Sequence, residues 1–198
     1  MGEQAAPHQM KDSRTRILLA ARSLFDHRGF HQTPMAHVAD AAQVSVGQIY
    51  RLFRSKEDVI SAIIEDDATR LQEQLQKLRD ELDDGQIAID QVFERILLDA
   101  ASDEQEALSF DILAESLRKE QVGDIVASMC GRIRGMLRHF ARAANPALTS
   151  DALDVAEELL LACLFGIGHR RASRPKMDAV QIAKDGGAMI TRALQAIS

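Results

Sequence analysis

The stretch SVGQIYRLF, residues 45–53, combines side chains that hydrogen-bond to nucleobase edges with side chains that reach phosphate. A glutamine amide can pair with adenine through two hydrogen bonds, and an arginine guanidinium pairs in the same way with guanine. Gln48 and Arg51 lie three residues apart, which places them on one face of a helix. Gly47 would let the backbone approach a duplex closely, and the Tyr50 hydroxyl could reach a phosphate oxygen. These residue types favour contact with the major groove of DNA.

Two short helices joined by a tight turn would hold this face outward. Ser45 is a good N-cap for the third helix of the chain, and Thr33 is predicted to cap the second helix, with Pro34 at its first position. Apolar residues would pack the pair together: Val38, Ala39, Ala42, Val44, Ile49 and Phe53. The spacing matches a helix-turn-helix. Its outward residues would be Ser45, Val46, Gly47, Gln48, Arg51 and Leu52.

The distribution of charge points to an anionic partner for the N-terminal region alone. Residues 1–56 hold eight Lys and Arg against four acidic residues, whereas the remainder holds 16 against 26, for a net charge of −6. Lys56 falls in the first turn of the fourth helix, behind the Ser55 cap. Its ammonium and the free backbone amides there could hold a phosphate.

The composition and the apolar periodicity predict an all-α fold. Hydrophobic residues make up 46% of the 198 residues, with four prolines and 4% aromatics, and apolar positions recur at helical spacing almost throughout. About nine helices result: three in an N-terminal helix-turn-helix domain, the first capped by Asp12 or Ser13, and six in a larger C-terminal domain. The predicted division is a disordered lead-in at 1–10, the DNA-binding domain at 11–56 and the C-terminal domain at 57–198.

Several other classes of protein are disfavoured. No apolar run approaches the roughly 18 residues of a membrane span, and the N-terminus lacks the apolar stretch of a secretion signal. Cys130 and Cys163 lie in apolar helical patterns, which indicates two buried thiols in a reducing, cytoplasmic setting. The chain has no HExxH, CxxC or glycine-rich phosphate loop, and Gly29 separates His27 from His31. We therefore expect neither an enzyme nor a bound metal or cofactor.

Residues 17–64 resemble the N-terminal domain of the tetracycline-repressor (TetR) family, through the pieces AARSLFDHRGF, TPM, VADAAQVSVGQIYRLF and SKEDV. The resemblance implies a homodimer that binds a palindromic double-stranded DNA operator. It also implies a repressor that is released when a small-molecule effector enters the C-terminal domain, although activation stays open. The DNA contacts that the resemblance implies are Thr33, Ser45, Val46, Gly47, Gln48, Tyr50, Arg51 and Lys56.

Two positions depart from the family pattern. Gln43 stands where the pattern has the glycine of the turn. It predicts either a mildly strained residue with positive φ, at about 1 kcal/mol relative to glycine, or a turn relaxed away from positive φ. Leu52 stands where a histidine is common, so one polar DNA contact is missing and a contact with a thymine methyl group could replace it.

The C-terminal domain offers a dimer interface and an effector pocket. Residues 150–169 are apolar nearly all round, and residues 178–197 carry small residues on an apolar stripe, as in a two-fold four-helix interface. The alternative is that both helices close the core of a monomer. Candidate pocket residues, each also interpretable as core, are Leu75, Phe93, Ile96, Leu97, Phe110, Leu113, Leu117, Met129, Ile133, Met136, Phe140, Leu164 and Phe165. Polar residues that could orient an effector are Asp111, Glu115, Cys130 and His139.

Two hypotheses from other classes remain beside a DNA-binding regulator. One is a helical protein-interaction module whose N-terminal hairpin is only structural. The other is a small enzyme or metal protein, which bound metal or catalytic turnover would reveal.

Overall fold

The computed structural model describes residues 7–102, 106–174 and 176–197. Within those ranges it confirms the all-α prediction, because they form nine α-helices and a short 3-10 helix and contain no strand. The α-helices are α1 (Pro7–Arg28), α2 (Met35–Ala41), α3 (Val46–Leu52), α4 (Lys56–Asp83), α5 (Ile89–Ala101), α6 (Glu106–Ser116), α7 (Glu120–Ala144), α8 (Ser150–Gly168) and α9 (Ala179–Gln195), and the 3-10 helix is Arg170–Ser173. None of these helices is both long enough and apolar enough to cross a membrane.

The chain forms two compact units whose limits differ from the predicted domains. The first unit comprises Met1–Asp67 and Ala107–Val126, and the second comprises Ala68–Glu106 and Ala127–Ser198. The predicted boundary after residue 56 falls inside the first unit, to which the chain also returns at Ala107–Val126. The start of α4 belongs with α1 because buried Arg22 bonds to it.

Arg22 explains how α1 and α4 are joined within the first unit. Its guanidinium donates two hydrogen bonds to the Asp67 carboxylate, at 2.9 and 2.6 Å, and a third to the carbonyl of Ile63 at 3.2 Å. A buried cation must be paired and hydrogen-bonded to be tolerated, and this bidentate geometry meets that demand.

The first helix begins earlier than the sequence suggested. It starts at Pro7, where the missing N–H costs nothing in a first helical turn, so residues 7–10 of the predicted disordered lead-in are helical. Residues 1–6 of that lead-in lie outside the described residues. The helix buries Ile17, Ala21 and Phe25, as the apolar spacing predicted. It ends at Arg28, and Gly29 follows with φ +83°, the conformation that favours glycine at this position.

In the second unit, α9 packs closely on α5. A Cβ added to Gly187 would lie 2.7 Å from the backbone nitrogen of Glu94, so only glycine permits this approach. Ala183 and Leu194 are buried on the same side of α9. The small-residue stripe predicted for contact between subunits is therefore used inside the chain, because it brings two helices of one subunit together.

The two cysteines differ in burial, contrary to the prediction that both are buried. Cys130 on α7 is buried, and this burial raises the pKa of its thiol. Cys163 is exposed. The reason is that α8, although apolar nearly all round, packs only one side against its own chain.

Candidate nucleic-acid interface

The turn between α2 and α3 is tight and contains a strained residue. Gln43 has φ +55°, so the positive-φ alternative of the two predicted for this position is the one observed. The amide of Val44 donates to the carbonyl of Ala39 at 3.0 Å, which closes the turn behind Gln43. A non-glycine residue in this region costs about 1 kcal/mol, and the packed helices on either side bear that cost.

The third helix places most of its apolar and polar residues as the sequence predicted, whereas Val44, Gln48 and Leu52 are half-buried. The Ser45 hydroxyl accepts a hydrogen bond from the amide of Gln48 at 3.1 Å, which caps α3. Ile49 and Phe53 are buried, together with Val38 and Ala39 of α2. The opposite face of α3 is exposed at Ser45, Val46, Gly47, Tyr50 and Arg51. No heavy atom would lie within 4 Å of a Cβ built at Gly47, so the middle of this face is open.

Gln48 is half-buried and anchored to the first helix. Its Nε2 donates to the hydroxyl of buried Ser13 at 2.8 Å. An amide nitrogen carries two hydrogens, so the second N–H and the amide oxygen stay available. Those are the two groups that adenine requires for bidentate pairing. Leu52, at the end of α3, is also half-buried.

Thr33 has a different role from the one predicted. Pro34, not Thr33, occupies the N-cap position of α2, and no side chain caps this helix. Thr33 is fully buried, and its hydroxyl donates to the carbonyl of Gly29 at 3.0 Å. The resemblance implies a phosphate contact at Thr33 through its backbone or its hydroxyl, and this contact stays a prediction. In this structure the hydroxyl donates to a carbonyl left without a helical partner at the end of α1.

Lys56 is also engaged within the chain. Its Nζ donates to the carbonyls of Phe30 at 2.6 Å, His31 at 3.2 Å and Thr33 at 3.3 Å. These three carbonyls belong to residues 29–34, which we call the α1–α2 loop. An ammonium has three N–H groups, so these carbonyls occupy all of its donors. The phosphate contact expected at Lys56 stays a prediction.

Two polar residues proposed as effector contacts hold the same loop. The Asp111 carboxylate accepts the amide of Phe30 at 2.8 Å, and buried Glu115 pairs with the imidazole of His31 at 2.9 Å. Sequence reasoning missed this role because the partners lie more than 80 positions apart. The available signal was a pair of carboxylates four residues apart, Asp111 and Glu115, in the mostly apolar stretch 110–115.

The predicted effector-pocket residues fall into two groups. Phe110, Leu113 and Leu117 belong to the first unit, and Leu117 is 90% exposed, so it lines no interior space of this chain. The rest belong to the second unit. There, Leu75, Phe93, Ile96, Leu97, Ile133 and Phe140 are buried, whereas Met129, Met136, Leu164 and Phe165 are half-buried. At the C-terminal end of α8, the ring of Phe165 stacks on the imidazole of His169.

Two polar groups of the second unit have structural partners. The imidazole Nε2 of His139 lies 3.3 Å from the Asp83 carboxylate, which links α7 to α4. Across the described ranges, no group of three or more His, Cys, Asp or Glu side chains is arranged to hold a metal ion.

Comparison with known proteins finds a match for residues 17–63, which contain α2 and α3; we call this pair of helices the reader. Residues 17–63 match the family model described as bacterial regulatory proteins, tetR family. The HTH-type transcriptional regulator UidR of Escherichia coli K12 is 36% identical over 115 residues, which are 58% of this chain. The match spans little more than half, 57%, of that relative's length.

Solved structures share the fold over nearly the whole chain. GusR of Salmonella enterica is 27% identical, with a TM-score of 0.69 over 98% of this chain and 99% of its own. A tetR-family regulator from Mesorhizobium loti has a TM-score of 0.74 over 94% of this chain and 96% of its own, at 18% identity, and shows the fold alone. UidR is named as an HTH-type transcriptional regulator. The domain match shows that residues 17–63 are similar to the tetR family of bacterial regulatory proteins, and the solved structures show that most of the chain shares the fold.

Proposed function

We propose that the protein is a sequence-specific DNA-binding regulator of transcription that inserts α3 into the major groove. The observation that carries this proposal is the exposed face of α3, which is open at Gly47 and flanked by Tyr50 and Arg51. A capped helix with such a face, held on a second helix by a buried apolar seam, is the geometry by which helix-turn-helix proteins read base edges.

Within this proposal, Arg51 and Gln48 contact base edges, whereas the Tyr50 hydroxyl and backbone amides contact phosphates. Arg51 is exposed and free to reach a guanine edge. Gln48 keeps the two groups that adenine requires. Ser45 and Val46 lie at the N-terminus of α3 and would be nearest the groove. Thr33 and Lys56 contribute differently, because their side chains bind the chain itself.

We propose that the regulator is a homodimer through the outer faces of α8 and α9. Val155 and Leu159 lie one turn apart on α8 and are 58% and 62% exposed, while Val180 and Met189 of α9 are 63% and 62% exposed. Large apolar side chains that a single chain leaves in water are typical of a surface that a second copy covers. A two-fold axis would present two readers to the halves of a palindromic operator.

Release by a small molecule completes the proposal and makes the protein a repressor. The supporting feature is the second unit, where half-buried Met129 and Met136 line α7 beside the buried Phe140. Methionine adapts its shape readily and suits a pocket that accepts a ligand.

The test is selection of duplexes by the purified protein from a random-sequence pool, followed by affinity measurements on the enriched sequence. We expect a palindromic consensus. Gln48→Ala and Arg51→Ala should weaken binding to the consensus by roughly tenfold or more each, since a good bidentate pair contributes about 1–3 kcal/mol, with little change on scrambled DNA. A folded protein that enriches no sequence would contradict the proposal and favour the helical protein-interaction module.

A further inference from the structure

The α1–α2 loop is held from two sides by helices remote in the sequence. On one side Lys56 of α4 donates to three of its carbonyls. The ammonium also lies 4.7 Å from the centroid of the Phe30 ring, a cation–π distance. Because the partners are backbone carbonyls, the position of the loop itself, and not only of a side chain, depends on this one amine.

On the other side, two carboxylates of α6 hold the loop. Asp111 accepts the buried amide of Phe30 at 2.8 Å. Glu115 is 1% exposed, and one of its oxygens pairs with His31 at 2.9 Å and with Arg118 at 3.2 Å. A carboxylate so buried is costly unless its partners are in place, so this arrangement tolerates little displacement of the loop.

The loop leads directly into the reader. The carbonyl of Pro34, the N-cap residue of α2, accepts a hydrogen bond from the amide of His37 at 3.0 Å. Helix α2 packs on α3, and Val38 and Ile49 are buried there. A shift of the loop would therefore tilt α2 and, with it, the exposed face of α3. The carboxylates also lie in the segment Ala107–Val126, which is continuous at both ends with the second unit.

We propose that Lys56, Asp111 and Glu115 are positioning residues for DNA reading: they set operator affinity by fixing the α1–α2 loop, and none of them contacts DNA. This inference rests on the proposed function, and it gives Lys56 a role other than the phosphate contact that its place at the start of α4 suggests. It also implies that a displacement of α6 would alter the orientation of α3 through the α1–α2 loop.

The decisive experiment measures affinity for the selected duplex across a series of salt concentrations. A lysine that contacts phosphate adds about 0.9 to the log–log slope, whereas a positioning lysine adds nothing. For Lys56→Gln we expect roughly tenfold weaker binding at every salt concentration, with a slope parallel to that of the unmodified protein. The matched control is Lys119→Gln, which removes the same charge from an exposed site in the same unit and should leave the affinity within about twofold.

Lys56→Arg separates the two roles further. A guanidinium keeps the charge and would keep a phosphate contact, but its planar fork does not match three carbonyls around one ammonium. We expect this variant also to bind several-fold more weakly with an unchanged slope. A flattened slope in Lys56→Gln, or full affinity in Lys56→Arg, would overturn the positioning role.

The carboxylates provide a test with the opposite electrostatic sign. Removing an acidic charge should strengthen DNA binding if charge alone matters, whereas a positioning role predicts weaker binding. For Asp111→Leu and Glu115→Met we expect roughly three- to tenfold weaker binding. The control for charge is Asp124→Leu, at an exposed position of α7. Equal or stronger binding by both variants would contradict the proposal.

Amide hydrogen exchange in the absence of DNA keeps the inference separate from the proposed function. Lys56→Gln should accelerate exchange in residues 35–52 relative to Lys119→Gln, while exchange in α9 stays unchanged. Unchanged exchange in residues 35–52 would overturn the inference whether or not the protein binds DNA. Failure of the proposed function would be visible separately, as absence of any enriched duplex for the unmodified protein. Should Lys56→Gln not fold, Lys56→Arg and Glu115→Gln carry the same comparison.

Discussion

The two connections of the reader, the α1–α2 loop and the turn between α2 and α3, are stabilised in different ways. The turn is held by its own neighbours: the Ser45 cap and a backbone bond from Val44 to Ala39. The loop is held by Lys56 and Asp111, which are 26 and 81 positions away from Phe30. Local bonds fix the mutual geometry of α2 and α3, whereas the distant bonds tie the α1–α2 loop to α4 and α6 of the same unit.

The largest effect on this comparison should come from the distant side. Asp111→Ala leaves the buried amide of Phe30 without an acceptor and removes a charge-assisted hydrogen bond. We expect a loss of about 2 kcal/mol in the free energy of unfolding, measured by urea denaturation at fixed protein concentration. A loss no greater than that of the exposed control Asp124→Ala would mean that the loop is held without α6.

Within the loop, the Thr33 hydroxyl should contribute somewhat less. Thr33→Val keeps the volume of the buried side chain but removes the hydroxyl that donates to the carbonyls of Gly29 and Leu24. We expect about 1.5 kcal/mol of destabilisation, because a buried acceptor loses its partner. Thr33→Ser, which retains the hydroxyl, is the control, and similar losses for both variants would indicate packing as the cause.

For the turn, removal of the helix cap should have a smaller effect. Ser45→Ala removes the side-chain acceptor of the Gln48 amide at the start of α3 and leaves it only the carbonyl of residue 45, at 2.9 Å. The expected loss is about 1 kcal/mol, as for other N-cap substitutions, and Ser45→Asp should recover most of it. Thermal denaturation followed by circular dichroism would measure both variants. Failure of the aspartate to recover stability would argue against capping.

The smallest effect has the opposite sign. Gln43→Gly relieves the positive φ of the turn but adds freedom to the unfolded chain, so we expect a net stabilisation of about 0.5 kcal/mol. Gln43→Ala is the matched control, since alanine keeps the strain. If glycine and alanine give equal stability, positive φ at this position carries no cost.

Much of the reader was predictable because its signals are local. The Ser45 cap, the turn at Gln43, and the buried seam of α2 and α3 depend on residues within a few positions of one another. The long apolar helices were predictable for the same reason. The start of α1 at Pro7 and the exposure of Cys163 were not, because the first depends on how far a helix propagates and the second on which side of α8 finds a partner.

The second unit shows the same limit in packing. Apolar periodicity indicated that α9 has a buried stripe, yet it could not say whether that stripe meets α5 of the same chain or a second copy. The 2.7 Å approach at Gly187 decides in favour of α5. The exposed apolar residues of α8 and the opposite face of α9 then become the surface available to a partner.

The sequence by itself determined the helical class, the helix-turn-helix and the face of α3, since each follows from spacing and capping within a short segment. Only the tertiary structure decided what Thr33, Lys56, Asp111 and Glu115 do. The physical reason is that polar side chains bind whichever donors or acceptors folding brings within about 3 Å. For Thr33, Lys56 and Asp111 these partners are backbone groups, and for Glu115 they include the imidazole of His31; the packing of whole helices sets the place of each.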